Sequence, residues 1–321
     1  MANTTTLPTI GVGTWAWGNN LLWGYDPSQD DRLEATFQRC LALGLQLFDT
    51  ADSYGTGRFH GRSETLLGRF ATASPGASLT IATKLAPFPW RLGRGGFRRA
   101  FAASRQRLAG HLDRVQLHWS TARYAPWQEA ALLDGLADLV LAGEVAEIGV
   151  SNLGPRRLRW VHARLAARGV TLRSLQVQFS LLAPQPLEPS GVVDVCRELA
   201  IDLIAYSPLA LGLLSRAPGA LAAPPPGIRG LLFRQLWPRC QALLQGMEEL
   251  GRERNGGMAA VALNWCRAHG AIPIPGLRSL DQVEAAAAAL TWQLDARERQ
   301  HLDRLSQDCQ ARMPANPFQS A

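Results

Sequence analysis

The chain has 321 residues, of which 47% are hydrophobic and 18% charged, and its formal net charge is +7. This composition excludes a disordered chain and a charged coiled coil, and the length allows one or two globular domains. The five cysteines are scattered without C-x-x-C spacing, which argues against a disulfide framework and a structural zinc site. Of the 33 basic residues, only Lys84 is a lysine.

The N-terminal sequence has neither the basic region nor the apolar run of a signal peptide, and no uncharged apolar stretch is long enough to predict a membrane span. We therefore predict a cytoplasmic protein without membrane contact. The positive charge is spread over many segments and no nucleic-acid-binding motif is present, so we expect no nucleic-acid partner. We expect a monomer or a weak homo-oligomer.

Short apolar runs typical of buried strands alternate with longer amphipathic stretches along the chain. Seven runs are clear, and an eighth, near residues 289–292, is weak. The clear runs are residues 45–48, 79–83, 115–117, 147–150, 175–179, 203–206 and 271–274. The amphipathic stretches between them predict helices over residues 31–43, 63–70, 96–112, 127–141, 155–168 and 191–199.

This alternation predicts a parallel sheet with right-handed crossovers. About eight repeats without an internal break favour one (β/α)8 TIM barrel domain over residues 1–321, with its core at about 7–305 and a short C-terminal tail at 306–321. A doubly wound sheet is the alternative, but its G-x-G-x-x-G motif is absent. Residues 9–17 precede the first clear run and predict a β-hairpin that closes the bottom of the barrel.

Polar side chains follow three consecutive predicted strands. Asp49 and Tyr54 follow the first clear run, Lys84 ends the second and His118 ends the third. Each alone has an ordinary structural explanation, such as packing or an ion pair, but in a barrel the ends of these strands are neighbours. An ammonium stabilises a phenolate, a carboxylate orients the ammonium, and an imidazole donates to a carbonyl oxygen. The four residues therefore predict a proton donor for an oxygen that becomes negative as a hydride reaches its carbon.

The motifs at these strand ends resemble those of the aldo-keto reductase superfamily of NADPH-dependent barrel enzymes. The matching segments are Gly13-Thr14-Trp15, Phe48-Asp49-Thr50-Ala51-Asp52-Ser53-Tyr54-Gly55, Ala82-Thr83-Lys84, Leu117-His118, Gly149-Val150-Ser151-Asn152, Gln178, Tyr206-Ser207-Pro208-Leu209 and Ile274-Pro275-Gly276-Leu277-Arg278. The resemblance implies hydride transfer from NADPH to an aldehyde or ketone, giving an alcohol. Tyr54 would be the general acid and Lys84 would lower its pKa. Asp49 would hold Lys84, and His118 would orient the carbonyl.

The resemblance also implies the residues that bind NADPH. Ser151, Asn152 and Gln178 would bond the nicotinamide carboxamide, Tyr206 would stack on its ring, and Arg278 would grip the 2′-phosphate. The remaining implied contacts are Ser207, Pro208, Leu209, Leu211 and Gly212 along the pyrophosphate, together with Thr14, Trp15, Asp49, Gly276, Leu277 and Gln282. One departure is that Ala285-Ala286 stand where the family has a Glu-Asn pair near the adenine, which predicts fewer contacts there.

Several tryptophans lie near the predicted mouth of the barrel. We predict that Trp23, Trp90 and Trp119 surround the carbonyl site together with Tyr54 and His118, which suits an apolar or aromatic aldehyde or ketone. Tryptophans also pack barrel cores, so ordinary packing is an equal interpretation. The C-terminal residues 313–321 are expected to fold over the mouth.

Two other functions are compatible with the same residues. One is a regulatory or redox-sensing subunit that binds NADPH and turns over little. The other is a lyase that forms a Schiff base on Lys84, although a neighbouring carboxylate would keep that amine protonated and poorly nucleophilic. None of these hypotheses requires a metal.

Overall fold

Eight parallel strands, hydrogen-bonded to one another in chain order, form the centre of the computed structural model, which describes residues 9–218 and 224–320. A bridge between Gly13 and Gly276 brings the last strand back to the first. The predicted TIM barrel is thereby confirmed. The strands are β1 (Val12–Gly13), β2 (Leu47–Asp49), β3 (Thr80–Leu85), β4 (Arg114–Leu117), β5 (Glu147–Ser151), β6 (Leu172–Gln178), β7 (Asp202–Tyr206) and β8 (Ala271–Ile274).

Helices alternate with these strands and cover the outside of the barrel. Pro126 and Pro155 each occupy the first position of a helix, where a missing N–H costs nothing. The helix predicted over residues 96–112 ends earlier, because Ala109 and Gly110 take left-handed φ angles of 51° and 85°. The described helices are α1 (Asn20–Trp23), α2 (Asp30–Ala42), α3 (Arg62–Thr72), α4 (Arg98–Arg107), α5 (Pro126–Leu141), α6 (Pro155–Ala166), α7 (Val192–Glu198), α8 (Gly227–Leu236), α9 (Gln241–Glu253), α10 (Gly257–Ala268), α11 (Leu280–Ala287) and α12 (Ala296–Asp308).

The first strand differs from the prediction. The expected hairpin over residues 9–17 is not formed: β1 runs parallel to β2, with Gly13 opposite Asp49. The N–H of Gly13 also donates to the carbonyl of Pro275 over 2.9 Å. A Cβ on Gly13 would lie 2.9 Å from the carbonyl oxygen of Ile274, so only glycine permits this close approach. Two residues without a run of apolar side chains carry no periodic signal, and β1 was therefore missed.

The weak eighth run near residues 289–292 is not a strand. Its first part belongs to the 3-10 helix Ala288–Leu290, which directly follows α11. The residues 1–8, on which the predicted absence of a signal peptide partly rests, lie outside the described residues. Within the part of the chain that the structure describes, no helix has both the length and the apolar character needed to cross a membrane.

The alternation of side chains along each strand separates the apolar core from the polar interior of the barrel mouth. Phe48 on β2 faces α2 and packs against Phe37, with 4.7 Å between the ring centroids. The next residue, Asp49, points to the opposite face and into the barrel. Lys84 on β3 does the same between buried neighbours. The period of two therefore places charged groups at the mouth without interrupting the apolar layer between sheet and helices.

Candidate active site

A cavity of about 910 Å³ opens at the carboxyl ends of the strands. Tyr54, in the loop after β2, and His118, directly after β4, lie in its wall, and residues at the ends of β5 to β8 form the opposite side. In barrels of this kind this face holds the active site, because the loops after the strands bring side chains from several strands together.

Lys84 lies beneath Tyr54, with its side chain only 1% exposed. Its Nζ forms an ion pair with the Asp49 carboxylate, donates to the carbonyl of Thr50 over 2.8 Å, and lies 5.0 Å from the centroid of the Tyr54 ring. Burial disfavours the ammonium, but the negative charge of Asp49 and the phenol of Tyr54 prevail and raise the pKa of Lys84. The lysine is therefore a fixed positive charge.

Two glutamines complete the surroundings of Asp49. Gln116 on β4 donates to Oδ2 of Asp49 over 3.0 Å, and Gln176 on β6 donates to the same oxygen over 2.8 Å. We call Asp49, Lys84, Gln116 and Gln176 the polar floor. The two glutamines were not predicted as site residues. The sequence displays a signal for both: Gln116 lies between the apolar residues of β4, and Gln176 belongs to a polar alternation with Ser174 and Gln178 on β6.

Tyr54 has a raised pKa, because burial disfavours the phenolate more than the Lys84 ammonium favours it. The negative charge of Asp49 adds to the upward shift. Lys84 acts in the expected direction and lowers the pKa of Tyr54, but desolvation by burial outweighs this effect and the net shift is upward. The phenol therefore remains protonated near neutral pH and is available as a proton donor.

His118 faces the same cavity. Its ring centroid lies 6.0 Å from that of Tyr54, and its Nδ1 lies 3.4 Å from the hydroxyl oxygen of Ser53. Burial, and then the positive charge of Lys84, lower the pKa of His118 well below its usual 6.5. The imidazole is therefore neutral at physiological pH. When the Ser53 hydroxyl donates to Nδ1, the ring proton lies on Nε2.

The residues expected to bind a nicotinamide lie together on the other side of the cavity. Ser151, Asn152, Gln178 and Tyr206 all line it. Asn152 donates to the carbonyl of His118 over 3.0 Å, and the hydroxyl of Tyr206 donates to Oδ1 of Asn152 over 2.9 Å. The side-chain amide of Gln178 has no hydrogen bond to any residue in the described ranges, so its donors and acceptor are available to a bound molecule.

After β7 the chain makes a compact turn against the cavity. Ser207, Ala210 and Leu211 take left-handed φ angles of 51°, 47° and 58°, which cost free energy in residues other than glycine. Such backbone strain is concentrated at functional sites. The predicted contact residues Ser207, Pro208, Leu209, Leu211 and Gly212 all line the cavity in this turn.

Two arginines form what we call the arginine groove, with Trp23 between them. The guanidinium of Arg229 lies 3.9 Å from the Trp23 ring centroid, and that of Arg278 donates to the carbonyl of Trp23 over 3.0 Å. Neither arginine has a carboxylate within 4.0 Å among the residues that the structure describes. Burial and the charges of Arg278 and Arg216 lower the pKa of Arg229 to about 10. The groove is thus suited to an anion.

Arg229 was missed as a site residue. It lies at the start of α8, at the end of a stretch that was interpreted only as an irregular loop, residues 215–229, of which 219–223 lie outside the described residues. Its buried Nε has no hydrogen-bond partner in the described parts of the chain, although its NH2 group donates to the carbonyl of Leu211 over 2.8 Å. An unpartnered buried donor in a cavity wall is the feature expected where a ligand supplies the acceptor.

Besides Lys84, which lies beneath Tyr54, two predicted residues are not part of the cavity lining. Thr14 is fully buried, and its hydroxyl donates to the carbonyl of Asp49 over 3.0 Å, so it supports the polar floor from behind. Trp90 is 73% exposed and stacks on Phe88 outside the cavity. Trp23 lines the cavity but belongs to the arginine groove. The other predicted residues, Trp15, Gly276, Leu277, Gln282 and Trp119, line the cavity as well.

The C-terminal segment, residues 309–320, crosses the mouth of the barrel as expected. Residues 313–318 line the cavity, and the ring of Phe318 stacks on Trp119 with 4.5 Å between centroids. Asn316 reaches the hydroxyl of Tyr206. The final residue, Ala321, lies outside the described part.

Comparison with known proteins agrees with this geometry. Residues 9–307 match the model of the aldo/keto reductase family. A chloroplastic pyridoxal reductase of Arabidopsis thaliana is 46% identical over 319 residues, which cover 97% of this chain and 86% of the relative.

Two solved structures share the fold. A glycerol dehydrogenase of Gluconobacter oxydans has a TM-score of 0.78 at 23% identity, covering 99% of this chain and 97% of that one. An aldo-keto reductase of Klebsiella pneumoniae in complex with NADPH has a TM-score of 0.71 at 24% identity, covering 98% of this chain and 94% of that one. The family match over nearly the whole chain, together with the close plant relative, shows that this protein is an oxidoreductase of the aldo/keto reductase family.

Proposed function

We propose that this protein is an NADPH-dependent carbonyl reductase that converts an aldehyde or ketone to an alcohol, with Tyr54 as the general acid. The observation that carries the proposal is the buried Lys84–Asp49 ion pair beneath Tyr54 at the base of the cavity. The single lysine of the chain lies where the chemistry requires a compact positive charge beside a phenol.

The residues around the cavity fit the cofactor. Arg229 and Arg278 offer guanidinium groups without carboxylate partners in the described chain, which suits the phosphates. Gln178 offers a free amide to the carboxamide, and the hydroxyl of Ser151, which donates to the carbonyl of Gln176 over 3.0 Å, keeps a lone pair. The Klebsiella protein with this fold also holds NADPH. When bound, NADPH supplies the hydride.

Three residues of this chain manage the proton. Tyr54 remains protonated through neutral pH and donates to the carbonyl oxygen as negative charge develops there. His118 is neutral and donates a second hydrogen bond to the same oxygen. Lys84 remains charged beneath the ring and stabilises the phenolate that is left.

The same charge state disfavours a Schiff-base lyase. A nucleophilic lysine must be neutral, whereas the pKa of Lys84 is raised and its ammonium is bound by Asp49 and the carbonyl of Thr50. The amine is therefore neither deprotonated nor free to approach a substrate carbonyl.

The proposed substrate is an aromatic aldehyde, and pyridoxal is the first candidate. The stacked rings of Trp119 and Phe318 form an aromatic wall next to His118, whose ring centroid lies 4.9 Å from that of Trp119. Such a wall suits a flat ring that carries the aldehyde. The relative at 46% identity is named for pyridoxal reduction, which supports the choice.

The proposal is tested with the purified full-length chain, NADPH and a panel of pyridoxal, benzaldehyde and small aliphatic aldehydes. We expect NADPH oxidation with the aromatic aldehydes. We also expect Tyr54→Phe to reduce kcat about 10²- to 10⁴-fold, the usual contribution of a general acid, with NADPH affinity unchanged. Tight NADPH binding without turnover on any aldehyde would instead favour the regulatory subunit considered above.

Location and assembly complete the proposal. We propose a cytoplasmic enzyme that is a monomer or a weak homo-oligomer. Because the Arabidopsis relative is named as chloroplastic, fractionation of the source cells is the test of location. Sedimentation equilibrium of the purified chain is the test of assembly.

A further inference from the structure

The C-terminal segment is held against the cavity at several points. The N–H of Met313 donates to the carbonyl of Leu182 over 2.8 Å, and the N–H of Ser320 donates to the carbonyl of Asn152 over 3.0 Å. Between these anchors the chain passes the mouth of the barrel, and the side chain of Asn316 points to the nicotinamide side of the cavity. The placement of Asn316 is therefore fixed by backbone contacts on both sides of it.

The side-chain amide of Asn316 uses all of its donors. Its Nδ2 donates to Oδ1 of Asn152 over 3.0 Å and to the hydroxyl oxygen of Tyr206 over 2.7 Å. Its own oxygen accepts the N–H of Phe318 over 2.9 Å, which forms a turn within the segment. The amide thus bridges the segment to two residues of the cavity wall.

The bridge constrains Tyr206 more than Asn152, whose own amide also donates to the carbonyl of His118 and to the hydroxyl of Ser151. The hydroxyl of Tyr206 donates to Oδ1 of Asn152, so the three groups form a closed triangle of hydrogen bonds. Among the described residues, Asn152 and Asn316 are the only partners of that hydroxyl. Asn152 also takes a left-handed φ of 60°, a conformation that needs support from its surroundings.

We propose that Asn316 is a positioning residue of the nicotinamide site, acting through Asn152 and Tyr206. This inference rests on the proposed function, in which Tyr206 stacks on the nicotinamide ring and Asn152 lies beside its carboxamide. Fixing the Tyr206 hydroxyl at the edge of the ring restricts the plane on which the nicotinamide lies. The ring then presents its reactive carbon to the carbonyl above Tyr54, which is the orientation that hydride transfer requires.

The experiment must distinguish this role from the opposite one, in which Asn316 competes with the cofactor. The Asn316 side chain is itself a carboxamide, and it would compete with the cofactor if it occupied the place of the nicotinamide carboxamide. The two roles differ in sign: loss of a positioning residue weakens NADPH binding, whereas loss of a competitor strengthens it. The anchored segment and the turn to Phe318 favour the positioning role.

The experiment uses two variants of the full-length chain and a matched control. Asn316→Ala removes the bridge, and Asn316→Asp keeps the acceptor for the N–H of Phe318 while removing both donors. Gln319→Ala is the control, because it removes a side-chain amide of the same segment that has no hydrogen bond to the rest of the described chain. Tryptophan fluorescence measures the binding of NADPH and of adenosine 2′,5′-bisphosphate, which lacks the nicotinamide. Steady-state kinetics give kcat and KM, and thermal unfolding reports the stability of each variant.

We expect both Asn316 variants to bind NADPH about tenfold more weakly, as the loss of two partly buried hydrogen bonds implies. Their affinity for adenosine 2′,5′-bisphosphate should remain within about twofold of the original. The KM for NADPH should rise and kcat should fall, while the KM for the aldehyde changes less. The control should match the original chain in every measurement.

Several results would overturn the inference. These are unchanged or tighter NADPH binding in both Asn316 variants, or an equal loss for NADPH and the bisphosphate. An equal loss for both molecules would indicate general damage to the mouth of the barrel, which thermal unfolding would also reveal. If the original chain binds neither molecule, the proposed function itself fails. If it binds both and the variants behave normally, only the role of Asn316 fails.

Discussion

The polar floor and the arginine groove treat charge in opposite ways. In the floor, the ammonium of Lys84 is bound by Asp49, whose second carboxylate oxygen is bound by Gln116 and Gln176. In the groove, Arg229 and Arg278 have no carboxylate partner among the described residues. The comparison separates two tasks. Under the proposed function, the charge that acts on the phenol of Tyr54 is compensated within the protein, whereas the charges of the two arginines are left for the phosphates of the cofactor to compensate.

The largest expected effect comes from Lys84. Lys84→Met leaves the buried Asp49 carboxylate without its cation, which should reduce the free energy of unfolding by about 3–5 kcal/mol and remove most turnover. Lys84→Arg retains the charge but replaces a compact ammonium by a planar fork, and we expect kcat to fall at least about 10²-fold. The measurements are steady-state NADPH oxidation and chemical denaturation.

Arg197→Lys on the exposed face of α7 is a suitable control for the exchange of arginine and lysine, because its side chain is 70% exposed. It should change neither measurement. A fully active Lys84→Arg variant would show that the single lysine is an accident of composition and that the compact charge is dispensable.

Substitutions in the arginine groove should have a smaller effect than those at Lys84, and the effect should be confined to cofactor affinity. Arg278→Ala should weaken NADPH about 10- to 100-fold, the range for a charged hydrogen bond, and affect NADH far less. Arg229→Ala should weaken the binding of both NADPH and NADH. Its guanidinium contacts the turn at Leu211, and this turn is proposed to bind the pyrophosphate that the two cofactors share. Titration of each variant with both cofactors measures this. Arg234→Ala, further along α8, is the control, and equal losses for NADPH and NADH in Arg278→Ala would contradict the assignment.

The aromatic wall should contribute a modest preference. Phe318→Ala removes the ring stacked on Trp119, and we expect kcat/KM for pyridoxal and benzaldehyde to fall about three- to tenfold, as for loss of one aromatic contact. The value for a small aliphatic aldehyde should change little. A uniform loss for all aldehydes would show that the segment shapes the site in general and does not select for rings.

The smallest expected effect is an absence of titration. Because the pKa of His118 is well below its usual value and that of Tyr54 is raised, neither group changes its charge between about pH 6 and 8. The kcat for reduction should therefore be level across this window and fall only at alkaline pH, where the protonated phenol is lost. A step near pH 6.5 that disappears in His118→Gln would contradict the neutral imidazole.

The sequence predicted most of the barrel and the four residues at its centre, because both follow from local pattern. Apolar runs mark strands whose two faces are buried, and the polar residues that follow them must converge once the barrel closes. β1 escaped because it consists of two residues, one of them a glycine needed for close contact with β8. The requirement for this glycine is steric, so it can be recognised only when the position of β8 beside β1 is known.

The remaining features depend on contacts between distant parts of the chain. Asn316 meets Tyr206 across 110 positions, and no local pattern predicts where a C-terminal segment comes to lie. Arg229 is one of many arginines, and only its burial without an acidic partner in the described chain distinguishes it. The net pKa of Tyr54 could not be predicted either, since it depends on the balance between desolvation and the charge of Lys84.

The most direct test of the account follows the hydride and the proton together. NADPH labelled with deuterium at the transferable position is incubated with pyridoxal and either the original chain or Tyr54→Phe, and the alcohol is analysed by mass spectrometry. We predict one deuterium on the former carbonyl carbon with the original chain. With the variant, which should still bind NADPH, we predict labelled alcohol formed at least about 10² times more slowly. Alcohol without deuterium, or equal rates for the two proteins, would contradict the central claim.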